Sequence, residues 1–141
     1  MKKKGILFTI ILAVIIVIII SFFNINQKRL SEKLLKDISV DDIESVTVIL
    51  LPPNVSYELN YEEIEELVEI LHSVEIYNKD NSYNEYYGQN VTFTIVKDNN
   101  TTIKIMAYNP FLVIDGTGYK TKYEPCERLS SFGNKIGNLN K

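Results

Sequence analysis

The amino-terminal part of the chain contains an apolar run that no soluble helix needs. From Gly5 to Phe23 the sequence reads GILFTIILAVIIVIIISFF, and Thr9 and Ser21 are its only polar side chains. As a helix that rises about 1.5 Å per residue, this run is about 28 Å long, close to the roughly 30 Å of a membrane's hydrocarbon core. A helix that is apolar on every face is typical of a membrane span. We therefore predict a transmembrane segment over residues 5–23.

The flanks of this run predict that it is retained as an anchor. Residues 2–4 are lysines, and a basic start before an apolar core is the layout of a secretory signal. The residues that follow the core, Ser21-Phe22-Phe23-Asn24, lack the small-x-small pattern of a cleavage site, which favours an uncleaved signal anchor over a removed peptide. Positive charges on the two sides are nearly balanced, so they do not fix the orientation. The short basic tail favours residues 1–4 in the cytoplasm and the rest of the chain outside.

Residues 24–36, NINQKRLSEKLLK, are polar and predict a juxtamembrane linker helix. Leu30, Leu34 and Ile38 follow one another at intervals of four, which is a helical spacing. The linker lifts the following domain off the membrane in this interpretation. Packing of these leucines against the domain, or self-association, are alternatives that the sequence leaves open.

Residues 37–141 predict one α+β domain. Asn60 and Glu63 form a capping-box pattern at the start of a first helix, and Pro125 opens a second. The order ββα-ββββ-α predicts a mainly antiparallel sheet with helices packed on one face. The alternating strand positions are Val46, Val48 and Leu50; Val55, Tyr57 and Leu59; Val91, Phe93 and Ile95; Ile103, Ile105 and Ala107; residues 111–114; and Tyr119, Thr121 and Tyr123. The apolar helix positions are Ile64, Leu67, Val68 and Leu71, and then Cys126, Leu129, Phe132 and Ile136.

The single cysteine bears on the compartment in which the protein is located, and the negative net charge bears on the partners that it can bind. A single cysteine cannot form an internal disulfide, which suits the outer face of a Gram-positive bacterium. The chain has a net charge of −3 although three of its lysines precede the apolar run, so the domain itself is more acidic still. This balance argues against nucleic acid and against anionic polymers as partners.

No arrangement of residues indicates an enzyme or a bound cofactor. His72 is the only histidine, and no nucleophile motif, zinc-ligand set or phosphate-binding glycine loop is present. Cys126 follows Pro125 in a first helical turn, where a thiolate is stabilised. The flanking Glu124 and Glu127 oppose that effect, and Cys126 occupies the apolar register of its helix, which favours a buried, unreactive thiol.

The stretch YNKDNSYNEYYGQN, residues 77–90, is the one candidate for recognition. Tyrosine, asparagine, serine and glycine are the composition of binding loops, because tyrosine buries a large area at a low cost in conformational entropy. A calcium loop that began at Asp80 would need Gly sixth and Glu twelfth, and Glu85 and Val91 stand there instead. The candidate partner-binding residues are Tyr83, Asn84, Tyr86 and Tyr87. The simpler alternative, which we favour for a domain of this size, is a connector in which Tyr83, Tyr86 and Tyr87 fold back over the sheet edge or the core. For the individual side chains we expect a split, with Tyr87 structural because it adjoins Gly88 and the next strand, and Tyr83 free at the loop tip.

Three segments carry a resemblance to known domains. The strings EEIEELVEIL, YNKDNSYNEYYGQNVTFTI and YKTKYEPCERL, between Tyr61 and Leu129, resemble small membrane-anchored extracytoplasmic domains of clostridia and bacilli that have no assigned function. The resemblance implies localisation and fold, and it implies no activity or functional residue. We thus expect a non-enzymatic binding or regulatory module on a single-pass anchor in the cell membrane, which recognises a protein or a small envelope ligand. The alternative is an accessory subunit that pairs through its transmembrane helix with a larger membrane protein.

Overall fold

The computed structural model describes the backbone of residues 2–140, and the side chains of these residues except 2–5, 7, 24 and 27–32. Short helical turns at Glu32–Lys36, Val40–Asp42 and Asn81–Glu85 join the longer elements. Those elements are, in chain order, α1 (Lys2–Ser31), β1 (Ile43–Leu51), β2 (Val55–Glu58), α2 (Tyr61–Ser73), β3 (Ile76–Lys79), β4 (Asn90–Lys97), β5 (Thr102–Tyr108), β6 (Phe111–Ile114), β7 (Thr117–Thr121) and α3 (Tyr123–Leu139).

Helix α1 holds the apolar run, and none of its described side chains belongs to the hydrophobic core. The large apolar side chains of α1 that the structure describes are all exposed, from 46% at Ile15 to 70% at Phe8. Over the part of the chain that the structure describes, no helix combines the length and apolar content needed to cross a membrane. The transmembrane segment over residues 5–23 therefore stays a prediction.

The segment after α1 is built into the domain. Leu35, in the turn Glu32–Lys36, is fully buried, and Ile38 is 1% exposed. Both belong to the same hydrophobic cluster as the sheet and the two later helices. The His72 imidazole at the end of α2 shares a 2.9 Å hydrogen bond with the Ile38 carbonyl oxygen, in which Nε2–H is the donor. The core of the domain thus begins within the predicted linker, at Leu35.

The seven described strands form one antiparallel sheet in the order β2-β1-β4-β5-β6-β7-β3. Alternation fixes which side chains enter the core, since successive residues of a strand point to opposite faces. Val48 pairs with Phe93, and Phe93 pairs with Ile105, so these three side chains share one buried face. The prediction of an α+β domain with an antiparallel sheet is confirmed.

Both domain helices pack on that buried face. In α2, Asn60 Oδ1 accepts the Glu63 N–H at 3.0 Å and the Glu63 carboxylate accepts the Asn60 N–H at 2.9 Å, which confirms the capping box. Its four predicted apolar positions are buried, together with Ile70. Helix α3 lies close to the strands because Gly133 has no side chain, and a Cβ at this position would overlap a methyl group of Val91. The four predicted apolar positions of α3 are also buried.

Two local predictions were wrong. The sequence reading missed β3, because only Ile76 of its four residues is buried and the strand lies at the sheet edge. Tyr123 was predicted to continue the last strand, but α3 begins there and the side chain is 65% exposed.

The turn after β6 is a two-residue turn of Asp115 and Gly116, with φ of 48° and 78°. Positive φ at both positions is typical of a type I′ hairpin turn, which favours Asp-Gly.

Candidate functional site

Residues 80–89, here called the tyrosine loop, connect β3 to β4, and their first part is bound to β7. The Asp80 N–H donates to the Gly118 carbonyl oxygen at 2.9 Å, and the Gly118 N–H donates to Asn81 Oδ1 at 2.8 Å. The Asp80 carboxylate accepts the Ser82 N–H at 2.9 Å and caps the helical turn that follows. The beginning of the tyrosine loop therefore has a fixed position on the sheet.

Electrostatics reinforce this attachment. Lys120 Nζ, on β7, lies 3.1 Å from Asp80 Oδ2. The hydrogen bonds from Ser82, followed by the interaction with Lys120, lower the pKa of Asp80 to about 2. The carboxylate is ionised at neutral pH, and the charged form is the one that holds the loop.

Tyr83 folds back onto β7 instead of standing free at the loop tip. Its hydroxyl donates to the Gly116 carbonyl oxygen at 3.1 Å. Its ring lies over Gly118, where a Cβ would overlap both the ring and the Asp80 carbonyl oxygen. The expectation that Tyr83 is free was wrong, because the glycine on β7 leaves room for the ring.

Tyr86 and Tyr87 are neighbours with different environments. The Tyr86 ring lies against Phe111, with ring centroids 5.7 Å apart and planes tilted by 48°, and remains 57% exposed. Tyr87 is 98% exposed. The expectation that Tyr87 is the structural tyrosine was therefore wrong as well. The alternative of inward tyrosines holds for Tyr83, holds in part for Tyr86, and fails for Tyr87.

The four residues proposed for partner binding surround one cavity of about 310 Å³. This sheet-face cavity lies beside the tyrosine loop, on the sheet face opposite to the helices. Asn90, Met106 and Tyr108 contribute the side of the cavity formed by β4 and β5. The structure thus brings Tyr83, Asn84, Tyr86 and Tyr87 together around one cavity.

A second cavity of about 350 Å³ lies on the other side of the segment Tyr86–Gly88. This helix-side cavity is open to solvent and is bordered by the loop, the turn between β5 and β6, and one face of α3. Tyr86, Tyr87 and Tyr108 line both cavities. The remaining polar side chains of the helix-side cavity are Gln89, Asn109, Glu127, Ser130 and Asn134.

Asn109 carries the least satisfied polar group of this cavity. Its Nδ2 donates to the Glu127 carboxylate. Its Oδ1 is buried and accepts no hydrogen bond from any residue that the structure describes. A buried acceptor without a donor costs about 1–3 kcal/mol, so this oxygen destabilises the wall of the cavity locally.

The opposite wall is a chain of amides. Gln89 Nε2 donates to Asn134 Oδ1 at 3.0 Å and lies 3.4 Å from the Pro52 carbonyl oxygen. Asn134 Nδ2 donates to the Ser130 carbonyl oxygen at 3.0 Å, within α3. These bonds fix the orientation of the Gln89 and Asn134 side chains. Among the described residues that line the helix-side cavity, Glu127 is the one carboxylate, and none is a lysine or arginine.

Other candidate reactive groups lie outside both cavities. Cys126 is fully buried, and its thiol donates to the Phe111 carbonyl oxygen at 3.1 Å. Burial, as the main cause, raises the pKa of this thiol to about 11. The prediction that Cys126 is buried is confirmed. His72 holds the connector at Ile38. Within the described residues, no group of three or more His, Cys, Asp or Glu side chains is arranged to hold a metal ion.

The sequence reading missed the polar residues of the helix-side cavity. Asn109 was read only as part of a turn before Pro110, and Glu127 only as a negative neighbour of Cys126. Gln89 and Asn134 are 45 positions apart, and their contact exists only once α3 has packed across the sheet. No local pattern could have joined these residues.

Comparison with known proteins adds no relative. The chain matches no family model, no curated protein and no solved structure.

Proposed function

We propose that the protein is a single-pass membrane protein whose α+β domain is a non-enzymatic binding module outside the cytoplasmic membrane. The observation that carries the proposal is the pair of cavities that meet at the segment Tyr86–Gly88. A volume of about 310–350 Å³ is at the lower end of the range of ligand sites, about 300–1,000 Å³. Aromatic side chains with a few oriented polar groups are typical of such sites.

The anchor is supported by the apolar side chains of α1. They are exposed around the whole helix, and water solvates such a surface poorly. From Phe8 to Phe23 the sequence is apolar apart from Thr9 and Ser21, and a membrane span needs roughly 20 such residues. In the sequence, the apolar run continues through Leu7 and Ile6 to Gly5, which brings it close to that length.

A binding role is supported over an enzymatic one by what lines the cavities. Catalysis by a nucleophile needs a base within hydrogen-bond reach. Among the described residues, neither His72 nor Cys126 lines either cavity. Glu127 has the Asn109 amide as its hydrogen-bond partner and no cation within salt-bridge distance in the described part of the chain. The side chains present are suited to hydrogen bonding and stacking.

The experiment uses a photo-crosslinking amino acid at position 87 of the full-length protein in intact cells. We expect covalent adducts from position 87 and none from position 61. Tyr61 is a matched control because it is 62% exposed and lies at the start of α2. The adducts should persist when residues 5–23 are replaced by an unrelated membrane span. Loss of the adducts after that replacement would favour the accessory subunit instead.

Topology is tested separately on protoplasts. The full-length protein should stay in the membrane fraction, and external protease should digest the domain. A domain protected from protease, or a mature chain that starts near Asn24, would overturn the proposed anchor and orientation.

A further inference from the structure

We infer that the helix-side cavity binds a neutral, polyhydroxylated ligand, namely a segment of a glycan. This inference rests on the proposed function, because it names the ligand class of the same module. It is carried by the oriented amides of Gln89 and Asn134, by the lack of any lysine or arginine among the described residues that line the cavity, and by the exposed Tyr87 at the rim.

Charge excludes an anion as the favoured ligand. None of the described residues that line the cavity is a lysine or arginine, whereas Glu127 contributes a carboxylate. A phosphate or a carboxylate in this position would lose its water without gaining a cation, which is strongly unfavourable. The domain is acidic as a whole, so long-range attraction does not offset that loss.

Hydrogen-bonding capacity favours hydroxyl groups. A hydroxyl can donate one hydrogen bond and accept others, and the amide side chains of Gln89, Asn109 and Asn134 offer both kinds of partner. A ligand hydroxyl can donate to the Gln89 carbonyl oxygen, because the Gln89 amide uses only its nitrogen in its bonds to Asn134 and Pro52. A sugar ring presents several hydroxyls in fixed directions, which matches a wall of oriented amides.

The rim supplies an aromatic platform. Tyr87 is 98% exposed and Tyr86 is 57% exposed, and both line the cavity. An exposed ring that contacts little of its own domain has its face free to stack on the C–H face of a sugar ring. Tyrosine suits this position because its ring contacts apolar groups while its hydroxyl stays in water.

A cationic ligand is the nearest alternative, since aromatic rings and a carboxylate also attract ammonium groups. Two observations favour the glycan. The Glu127 carboxylate already accepts a hydrogen bond from Asn109, and neutral amide and hydroxyl side chains outnumber the one carboxylate. The cavity lacks the several acidic groups that would favour a cation over a neutral ligand.

The test measures binding by calorimetry to the full-length protein in lipid nanodiscs. The probes are triacetylchitotriose and cellotriose as neutral sugars, choline as the cation and inorganic phosphate as the anion. We expect saturable binding of at least one neutral sugar, and no competition from phosphate or choline. Tyr87→Ala and Gln89→Ala should each weaken it roughly tenfold or more, while Tyr61→Ala leaves it unchanged. Tyr87→Ala removes an exposed side chain, so its effect is independent of folding.

Binding of choline or phosphate instead of the sugars would overturn the inference, as would the absence of sugar binding or equal sugar affinity in Tyr87→Ala and Tyr61→Ala. The proposed function would survive such a result if crosslinks from position 87 in cells still formed. Conversely, a domain protected from external protease would overturn the proposed function even if the purified protein bound sugar. The two failures are therefore distinguishable.

Discussion

Replacing the loop tyrosines one at a time should separate the residue that holds the tyrosine loop from the residue that is free to bind. Tyr83→Ala removes a largely buried ring and the hydrogen bond to the Gly116 carbonyl oxygen. Tyr87→Ala removes a side chain that is 98% exposed. The same chemical change at positions four apart should therefore have very different effects on the free energy of unfolding.

The magnitude for Tyr83 follows from its burial. A buried tyrosine removes about 150–250 Å² from water, and a largely buried one removes about 100–150 Å². At about 25 cal/mol per Å², and after allowance for a partly compact unfolded state, this contributes about 2–3 kcal/mol. The exposed hydrogen bond to Gly116 adds about 0.5–1 kcal/mol. We expect Tyr83→Ala to lower the free energy of unfolding by about 3 kcal/mol, and Tyr87→Ala by less than about 0.5 kcal/mol.

The assay is urea unfolding of the full-length protein in detergent micelles, followed by the near-ultraviolet circular dichroism of tyrosine. The chain has nine tyrosines and no tryptophan, so this signal reports on tyrosine packing. Tyr83→Phe is the matched control, since it keeps the ring and should lose no more than about 1 kcal/mol. Equal losses at positions 83 and 87, or a loss below about 0.5 kcal/mol for Tyr83→Ala, would refute the assignment of the two tyrosines.

Three further predictions concern the connector, the helix–sheet contact and acid stability. Leu35→Ala should lower the free energy of unfolding by about 3 kcal/mol in urea denaturation, because the side chain is fully buried, whereas the exposed Lys36→Ala should change it little. Gly133→Ala should destabilise the domain by about 1–3 kcal/mol in the same assay, since its Cβ overlaps a Val91 methyl; a gain in stability would show that α3 can shift. Asp80 has a pKa of about 2 in the folded protein and about 3.9 when unfolded. The contribution of its ionised form to the free energy of unfolding is therefore present above about pH 4 and disappears as the pH falls to about 2. The stability difference between wild type and Asp80→Asn should follow this window in unfolding curves at a series of pH values, and a difference independent of pH would contradict the assignment.

Local patterns in the sequence were sufficient for most of the fold. Alternation located β1, β4 and β5 because one face of each strand is buried and the other is not. The capping box located the start of α2, because Asn60 and Glu63 satisfy each other's backbone N–H groups without any help from the rest of the chain. Such features depend on residues a few positions apart, and a sequence displays them directly.

Features that depend on distant partners could not be predicted. Strand β3 exists because Ile76–Lys79 pairs with β7, about 40 residues later, and its own pattern is mostly polar. Leu35 was predicted to lie in a linker because its neighbours are polar, but its side chain is buried in the hydrophobic core. The composition of the tyrosine loop was enough to predict the four candidate residues in it. Asn109 and Glu127, by contrast, come into contact only when α3 packs on the sheet.

The tyrosine loop shows why the orientation of its side chains was inverted in the sequence reading. Proximity to Gly88 and β4 suggested that Tyr87 would be structural, but the glycine that decides the outcome is Gly118, which lies on β7. Because Gly118 has no side chain, the Tyr83 ring and the Asp80 backbone can pack directly against β7. The loop then continues to β4, and Tyr87 is exposed to solvent. The backbone at the start of the loop is already ordered by its contacts with β7, so less of the binding free energy is spent on ordering that part of the loop. The attachment at the start of the loop and the exposure near its end are thus two parts of one arrangement.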